Sequence, residues 1–186
     1  MKGVVFNLLE ETVVRAFGAD TWDTLLDMSG ASGAYTSLGA YPDSELEALV
    51  EAAGKALSLD RDAVLRWFGT NAIPVLAELY PVFFTGAPDA RTFVEGVNTI
   101  IHAEVRKLYP GAECPHFRMQ TDASGDLVMH YLSNRNMCAL AQGFVEGAAA
   151  WYGTEVAFEH TACTSNGDPH CTFRLAWPAL STAEAA

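Results

Sequence analysis

The chain changes character at residues 117–132, which read FRMQTDASGDLVMHYL. Both ends of this stretch are rich in strand-forming residues and the DASGD between them is typical of a turn, so it predicts a β-hairpin. A second hairpin is predicted at residues 155–161 and 171–176 around an Asn-Gly-Asp turn, with a helix over residues 136–152 between the hairpins. The pattern predicts an α+β fold with a four-stranded antiparallel sheet.

The sequence before this hairpin has the periodicity of helices. Apolar residues spaced three and four apart predict a first helix over residues 4–17 that ends at Gly18. Ser44 followed by Glu47 is a capping-box pattern, which predicts a helix from there to about Leu57. The other predicted elements are helices over residues 22–28, 60–80 (with a break or kink at Pro74) and 88–107, and a loop over residues 30–39.

The length and composition indicate one domain. Half of the 186 residues are hydrophobic, which is enough for a substantial core. We expect a helical subdomain over about residues 1–60, packed on a subdomain over about residues 61–180 that contains the sheet. The small, polar residues 181–186 are expected to form a frayed tail.

The charge and the cysteines bear on partners and compartment. The formal net charge of −12 makes nucleic acid and anionic membranes poor partners, because like charges repel. No apolar run approaches the roughly 20 residues of a membrane span, and the start of the chain lacks the apolar stretch of a signal peptide. We therefore expect a cytoplasmic protein. Its four cysteines are then expected to be reduced and to serve as metal ligands or redox thiols.

Two features suggest chemistry, and each has a simpler alternative. His102 lies at the edge of an apolar helical stripe, where it is either a hydrogen-bonded, half-buried histidine or an axial ligand to a haem packed against that stripe. In an extended segment, Tyr131, Ser133 and Arg135 project to one face. They form there either a clamp for an anion or a strand end with an ordinary salt bridge.

Taken together, several segments resemble a known family. They are, in order, MKGVVFN at residues 1–7, the helix of His102, Pro115 and the motif Tyr131-x-Ser133-x-Arg135. These residues resemble the H-NOX family, the haem nitric oxide/oxygen binding domains related to the haem domain of soluble guanylate cyclase. The resemblance covers essentially the whole chain. It implies a single domain over residues 1–186, of a zinc-containing, stand-alone bacterial type, with a b-type haem buried between the two subdomains.

The same resemblance implies roles for these residues. His102 would be the proximal ligand of the haem iron. Tyr131, Ser133 and Arg135 would hold the two propionates, since an arginine fork grips carboxylates with two parallel hydrogen bonds. Pro115 would press on the porphyrin and distort it.

The residues on the opposite side of the haem predict which gas binds. In oxygen-binding members of the family, a tyrosine stands five residues after the clamp arginine, and here that position is Leu140. Bound oxygen needs a hydrogen-bond donor and nitric oxide does not, so we expect a sensor of nitric oxide and carbon monoxide that excludes oxygen. Asn71 or Tyr80 is an alternative donor if the helix around Pro74 points one of them inward. The other candidates for this wall are apolar: Val5, Leu9 and Phe144.

The resemblance also implies a signalling route. Nitric oxide would break the bond between the iron and His102 and free its helix, and the signal would pass to a separate protein, typically a histidine kinase or a cyclic-di-GMP enzyme. We expect no output domain on this chain. The sequence has no nucleophile–base pair and no phosphate-binding glycine loop, so an enzyme, including a haem enzyme acting on oxygen or peroxide, is disfavoured.

Three cysteines and a histidine near the last hairpin form a candidate zinc site. His160 lies three residues before Cys163, Cys171 lies on the other arm, and Cys138 lies on the preceding helix. Three thiolates and one imidazole make a closed, structural zinc set. A subset of the H-NOX family carries such a site; four unrelated reduced cysteines are the alternative.

Two rival ligands and one rival function remain open at this point. Cys114 is a candidate only if it replaces Cys138, and His170, beside Cys171 on a strand, is expected to face away. Because Cys138 follows Arg135 by three residues, oxidation of the thiols with loss of zinc would also disturb the haem clamp. The alternative function is therefore a zinc/thiol redox-stress sensor.

Overall fold

The computed structural model describes residues 1–178 and shows the predicted α+β fold. The predicted tail at residues 181–186 lies outside the described residues. The helices are α1 (Gly3–Phe17), α2 (Ala19–Ser29), α3 (Asp43–Leu57), α4 (Arg61–Leu79), α5 (Pro81–Thr85), α6 (Ala90–Glu95), α7 (His102–Leu108) and α8 (Cys138–Trp151). The strands are β1 (His116–Thr121), β2 (Leu127–Leu132), β3 (Ala157–Ala162) and β4 (Cys171–Ala176).

The four strands form one antiparallel sheet in the order β1-β2-β4-β3. Along the central strands β2 and β4, buried residues alternate with half-buried ones, as expected for a sheet with one face on a core. Met129 and Phe173 are paired across these strands and both are buried. The strands β1 and β3 lie at the two edges, so no other described strand pairs with the outer side of β1.

The starts and interiors of two helices, α3 and α4, differ from the sequence prediction. The capping box is wrong: α3 begins at Asp43, its N-cap is Pro42, and no side chain caps it. Glu47, which was predicted to reach back to the cap, instead binds the guanidinium of Arg61 at 2.6 Å. Of the break or kink predicted at Pro74, the break does not occur, because α4 continues through this residue.

Close packing explains why α4 tolerates a proline. Pro74 removes only one backbone donor, and α4 makes its most extensive contact with α8. The contact is glycine-mediated: a Cβ built on Gly143 would lie 2.1 Å from the carbonyl oxygen of Arg66, and one on Gly69 would lie 2.5 Å from that of Leu140. The two backbones therefore meet at a distance that any side chain would prevent.

The helix predicted over residues 88–107 is divided in the structure. After α6, residues Val97–Ile101 form a π-helical turn, and α7 follows directly. The backbone N–H of His102 donates to the carbonyl of Val97, five residues earlier. Turns of this kind occur frequently at functional sites, and this one sets the position of His102.

Two main hydrophobic cores lie on either side of α4. Phe68 and Val75 belong to the core shared with α1, α2 and α3, whereas Ile73 and Ala77 belong to the core under the sheet and α8. The helix α4 therefore joins the two parts of the fold. None of the described helices combines the length and apolar character needed to cross a bilayer.

Candidate functional site

A large cavity lies between the first helices and the sheet. It has a volume of about 540 Å³ and is lined mainly by apolar side chains from α1, α4, α7, α8, β1 and β2. This volume is within the roughly 300–1,000 Å³ of cofactor and ligand sites. The cavity is thus suited to a large apolar group with a few polar anchors.

His102 is the first residue of α7 and lies on the wall of this cavity. Its Nδ1 is buried and has no hydrogen-bond partner among the described residues. Burial, with a smaller contribution from the charge of Arg106, lowers the pKa of the imidazole to about 4. The ring is therefore neutral at pH 7, which is the form that binds a metal ion.

The predicted anion clamp is assembled at the same cavity. Tyr131, Ser133 and Arg135 all line it, and burial raises the pKa of the Tyr131 hydroxyl, which stays protonated. The guanidinium of Arg135 donates to a carboxylate oxygen of Asp43 at 2.8 Å and to one of Glu113 at 2.8 Å. Arg135 therefore already grips carboxylates, which are the same chemical groups as haem propionates.

Pro115 and the predicted opposite wall lie largely where the sequence placed them. Pro115, Val5, Leu140 and Phe144 all line the cavity. Leu9 is not on the cavity wall in this structure; it is buried in the N-terminal core. Leu8, which precedes it on α1 and belongs to the same core, lies on the wall.

The two alternative donors differ in position. Asn71 is exposed, is absent from the cavity wall, and donates to the carbonyl of Trp67 in its own helix at 2.8 Å. Tyr80 does line the cavity, and its hydroxyl lies 2.8 Å from the hydroxyl of Tyr109. Tyr109 is a residue of this site that the sequence pattern did not predict. Burial and the contact with Tyr80 raise the pKa of Tyr109 to about 12. The two hydroxyls thus bind each other.

The four predicted metal ligands come together in a second site. The donor atoms of Cys138, His160, Cys163 and Cys171 all lie within 4.8 Å of one another. The Sγ of Cys163 is 4.0 Å from that of Cys138 and 3.8 Å from that of Cys171. Burial, together with the neighbouring thiols, raises the pKa of Cys138 to about 12, so a cation is needed to hold all three sulfurs as thiolates.

A β-bulge in β3 makes this convergence possible. His160 and Cys163 are three residues apart and would face opposite sides of a regular strand. The register between β3 and β4 shifts between His160 and Ala162, which brings both side chains to one side. The rivals lie elsewhere: Cys114 lines the large cavity, and His170 is 3.0 Å from His130.

Comparisons with known proteins agree with this arrangement. A family model described as Haem-NO-binding matches residues 2–160. The chain is similar to the soluble guanylate cyclases gcy-32 and gcy-35 of Caenorhabditis elegans, with 23% identity over 155 residues (80% of this chain) and 25% over 166 residues (86% of this chain). It spans only 23% and 24% of the length of these two relatives.

Solved structures show the same fold over nearly the whole chain. The crystal structure of an H-NOX protein from S. oneidensis in the Fe(II)NO ligation state is 30% identical, with a TM-score of 0.88 and coverage of 96% of this chain and 99% of that one. The Fe(II) unliganded H-NOX protein from K. algicida is 25% identical, with a TM-score of 0.82 and coverage of 96% and 97%.

Proposed function

Because the chain belongs to the haem-NO-binding (H-NOX) family of haem-binding gas-sensor domains, we propose that it senses nitric oxide through a haem bound in the 540 Å³ cavity. The observation that supports this most is the neutral, buried imidazole of His102 on the wall of a cavity lined mainly by apolar side chains. H-NOX domains are sensor domains rather than catalytic ones. A haem, when bound, supplies an iron atom that takes up a diatomic gas.

The residues present fit this cofactor. His102 would be the iron ligand, and its burial keeps it neutral at the pH of a cell. Tyr131, Ser133 and Arg135 would hold the propionates. Arg135 would then exchange its carboxylate partners, of which Glu113 is largely exposed and easily displaced. Pro115 would contact the porphyrin from the cavity wall.

The apolar wall supports selectivity for nitric oxide and carbon monoxide over oxygen. Val5, Leu140 and Phe144 carry no hydrogen-bond donor, and bound oxygen depends on one more strongly than the other two gases do. Tyr80 also lines the cavity, and its hydroxyl pairs with that of Tyr109 rather than standing alone among the apolar side chains of this wall. The site therefore favours gases that bind without a donor.

The position of His102 supports a signalling route. It begins the short helix α7 directly after a π-helical turn, so α7 would be freed to move against the sheet if the imidazole were released from the iron. The signal would pass to a separate protein, with a histidine kinase or a cyclic-di-GMP enzyme as the proposed partner. A two-state shift of this kind needs only a few kcal/mol of differential ligand affinity.

Visible absorption spectra of the purified reduced protein test this function. We expect a haem spectrum that is unchanged in air, and a shift on addition of nitric oxide to the spectrum of haem without a histidine ligand. The variant His102→Gly should lose the iron ligation of the wild type, with His116→Gly on β1 as the matched control. A stable oxygen adduct would contradict the selectivity, and unaltered ligation in His102→Gly would contradict the assignment of the ligand.

A second function is supported by the cluster of thiols. We propose that Cys138, His160, Cys163 and Cys171 bind a structural zinc ion, and that the protein works in the bacterial cytoplasm, where such thiols stay reduced. Oxidation of the thiolates would release zinc three residues from Arg135, so a redox-stress signal is the alternative function. If peroxide releases zinc without any change in the haem spectrum, this alternative fails.

A further inference from the structure

The π-helical turn before His102 is attached to the edge of the sheet through a side chain. Asn98 lies in this turn, four residues before His102. Its Nδ2 donates to the carbonyl oxygen of Phe117, and its Oδ1 accepts from the N–H of Phe117 at 3.2 Å. Both polar atoms of the amide are thus used on one residue of β1.

The edge position of β1 explains why this contact forms. Phe117 is opposite Tyr131 of β2, and within residues 1–178 no strand pairs with the other side of β1. An asparagine amide carries one acceptor and donors in the same arrangement as a peptide group. Asn98 therefore takes the place of a neighbouring strand and fixes the backbone of Phe117 relative to the π-helical turn.

The ring of Phe117 lies between two residues of the candidate haem site. It stacks on the imidazole of His102, with centroids 5.8 Å apart and planes at 22°, and its centroid is 5.7 Å from that of Tyr131. Metal-bound histidines are usually oriented by a hydrogen bond from the second ring nitrogen to a carbonyl or carboxylate. Among the described residues His102 Nδ1 has no well-formed hydrogen bond, although it lies near the backbone of Pro115, so packing against Phe117 helps to orient the ring.

We propose that Asn98 is a positioning residue for His102: by anchoring Phe117, it holds the imidazole in the orientation that binds the haem iron and so sets the strength of that bond. This inference rests on the proposed haem-binding function. Loss of the Asn98 amide frees the backbone of Phe117 from the turn, and the imidazole then loses the surface that orients it. A histidine held less firmly binds the iron more weakly and is released more readily when nitric oxide binds.

Resonance Raman spectroscopy of the full, haem-loaded protein tests the inference. In the ferrous protein without gas, Asn98→Ala should move the iron–histidine stretching band to lower frequency and broaden it. Phe117→Leu, which keeps an apolar side chain but removes the ring face, should do the same. The control is Asn71→Ala, because Asn71 is exposed and donates only within its own helix.

A second readout is the fraction of nitric oxide-treated protein that keeps its histidine ligand. Loss of a neutral hydrogen bond changes an equilibrium constant about fivefold, so Asn98→Ala should lower the ratio of six- to five-coordinate haem by about that factor. Because Asn98 acts through Phe117, the double variant Asn98→Ala/Phe117→Leu should change this ratio no more than the stronger of the two single variants does.

The outcomes separate this inference from the proposed function. If the wild type shows the iron–histidine band and Asn98→Ala leaves its frequency and width unchanged, Asn98 has no positioning role, whatever its effect on the melting temperature. If the wild type lacks the band, the proposed function itself fails. Should Asn98→Ala not fold, Asn98→Asp, which keeps the acceptor for the Phe117 N–H, should shift the band in the same direction, and no shift would overturn the inference.

Discussion

The glycine contact between α4 and α8 predicts the effect of adding one methyl group. A Cβ on Gly143 would lie 2.1 Å from the carbonyl oxygen of Arg66, one on Gly69 would lie 2.5 Å from that of Leu140, and one on Gly147 would lie 2.6 Å from that of Thr70. All three obstacles are backbone atoms, which cannot rotate away as a side chain can. Alanine at any of these positions therefore forces the two helices apart.

The size of the effect follows from two opposing contributions. Overpacking a tight core costs about 1–3 kcal/mol, and the very short distance at Gly143 indicates the upper end of that range. Alanine is favoured over glycine in a helix interior by about 1 kcal/mol. The net loss for Gly143→Ala is about 2 kcal/mol, and a domain of this size loses about 2–4 °C in Tm for each kcal/mol. We therefore expect the Tm to fall by about 4–8 °C.

Thermal unfolding followed by circular dichroism measures this difference. Gly143→Ala should have the lowest Tm, and Gly69→Ala and Gly147→Ala should lie between it and the wild type. Gly86→Ala is the control, because Gly86 has a φ of −80° and a Cβ there would be 3.4 Å from its nearest neighbour, the Val82 carbonyl oxygen. Equal melting temperatures for Gly143→Ala and Gly86→Ala would refute the close approach of α4 and α8.

Three further predictions concern the sites. Burial opposes ionisation of Asp43, but the hydrogen bond from the N-terminal ammonium and the charge of Arg135 outweigh it and hold its pKa below the usual value. The resulting stability is present above pH about 4 and is lost as the pH falls through the lowered pKa. The variant Asp43→Asn should therefore have a lower Tm than the wild type at neutral pH and the same Tm in strong acid. Cys171→Ser should lower the zinc content, measured by atomic absorption, and the Tm, and an unchanged zinc content would show that the cluster is not the site. Leu140→Tyr adds a donor to the apolar wall and should slow the loss of oxygen from the reduced protein in stopped-flow spectra; a rate equal to that of Leu140→Phe would argue against selectivity by hydrogen bonding.

The elements of this fold were predictable where local patterns decide them. The alternation of β2 and β4, the turn at residues 122–126 and the end of α1 at Gly18 depend on neighbours within a few residues, and the structure has them as predicted. The capping box failed because Glu47 has a distant partner, Arg61, that competes for its carboxylate. The helix α4 is not broken at Pro74, because its packing against α8 stabilises it by more than the loss of one backbone hydrogen bond costs.

The candidate site shows the same division. The types and spacing of the four residues of the thiol cluster predict a metal site, and the structure brings them together; the bulge in β3 and the turn that begins at Cys163 are tertiary details that the spacing does not reveal. The apolar character of Leu9 does not reveal whether it faces the cavity, and in the structure its neighbour Leu8 lies on the wall. Nothing in the local sequence marks Asn98 or Tyr109, because both act through partners distant in the chain.

Residue types and their spacing are enough to predict the α+β order of elements, the apolar stripe that carries His102, and the presence of the thiols and of Arg135. These properties act along the chain. The fold was needed to show which side of α1 faces the cavity, that a π-helical turn precedes His102, and that Asn98 binds the edge of the sheet. Each of these depends on the free energy of a contact between segments far apart in the chain, and periodicity carries no information about such contacts until the fold brings the segments together.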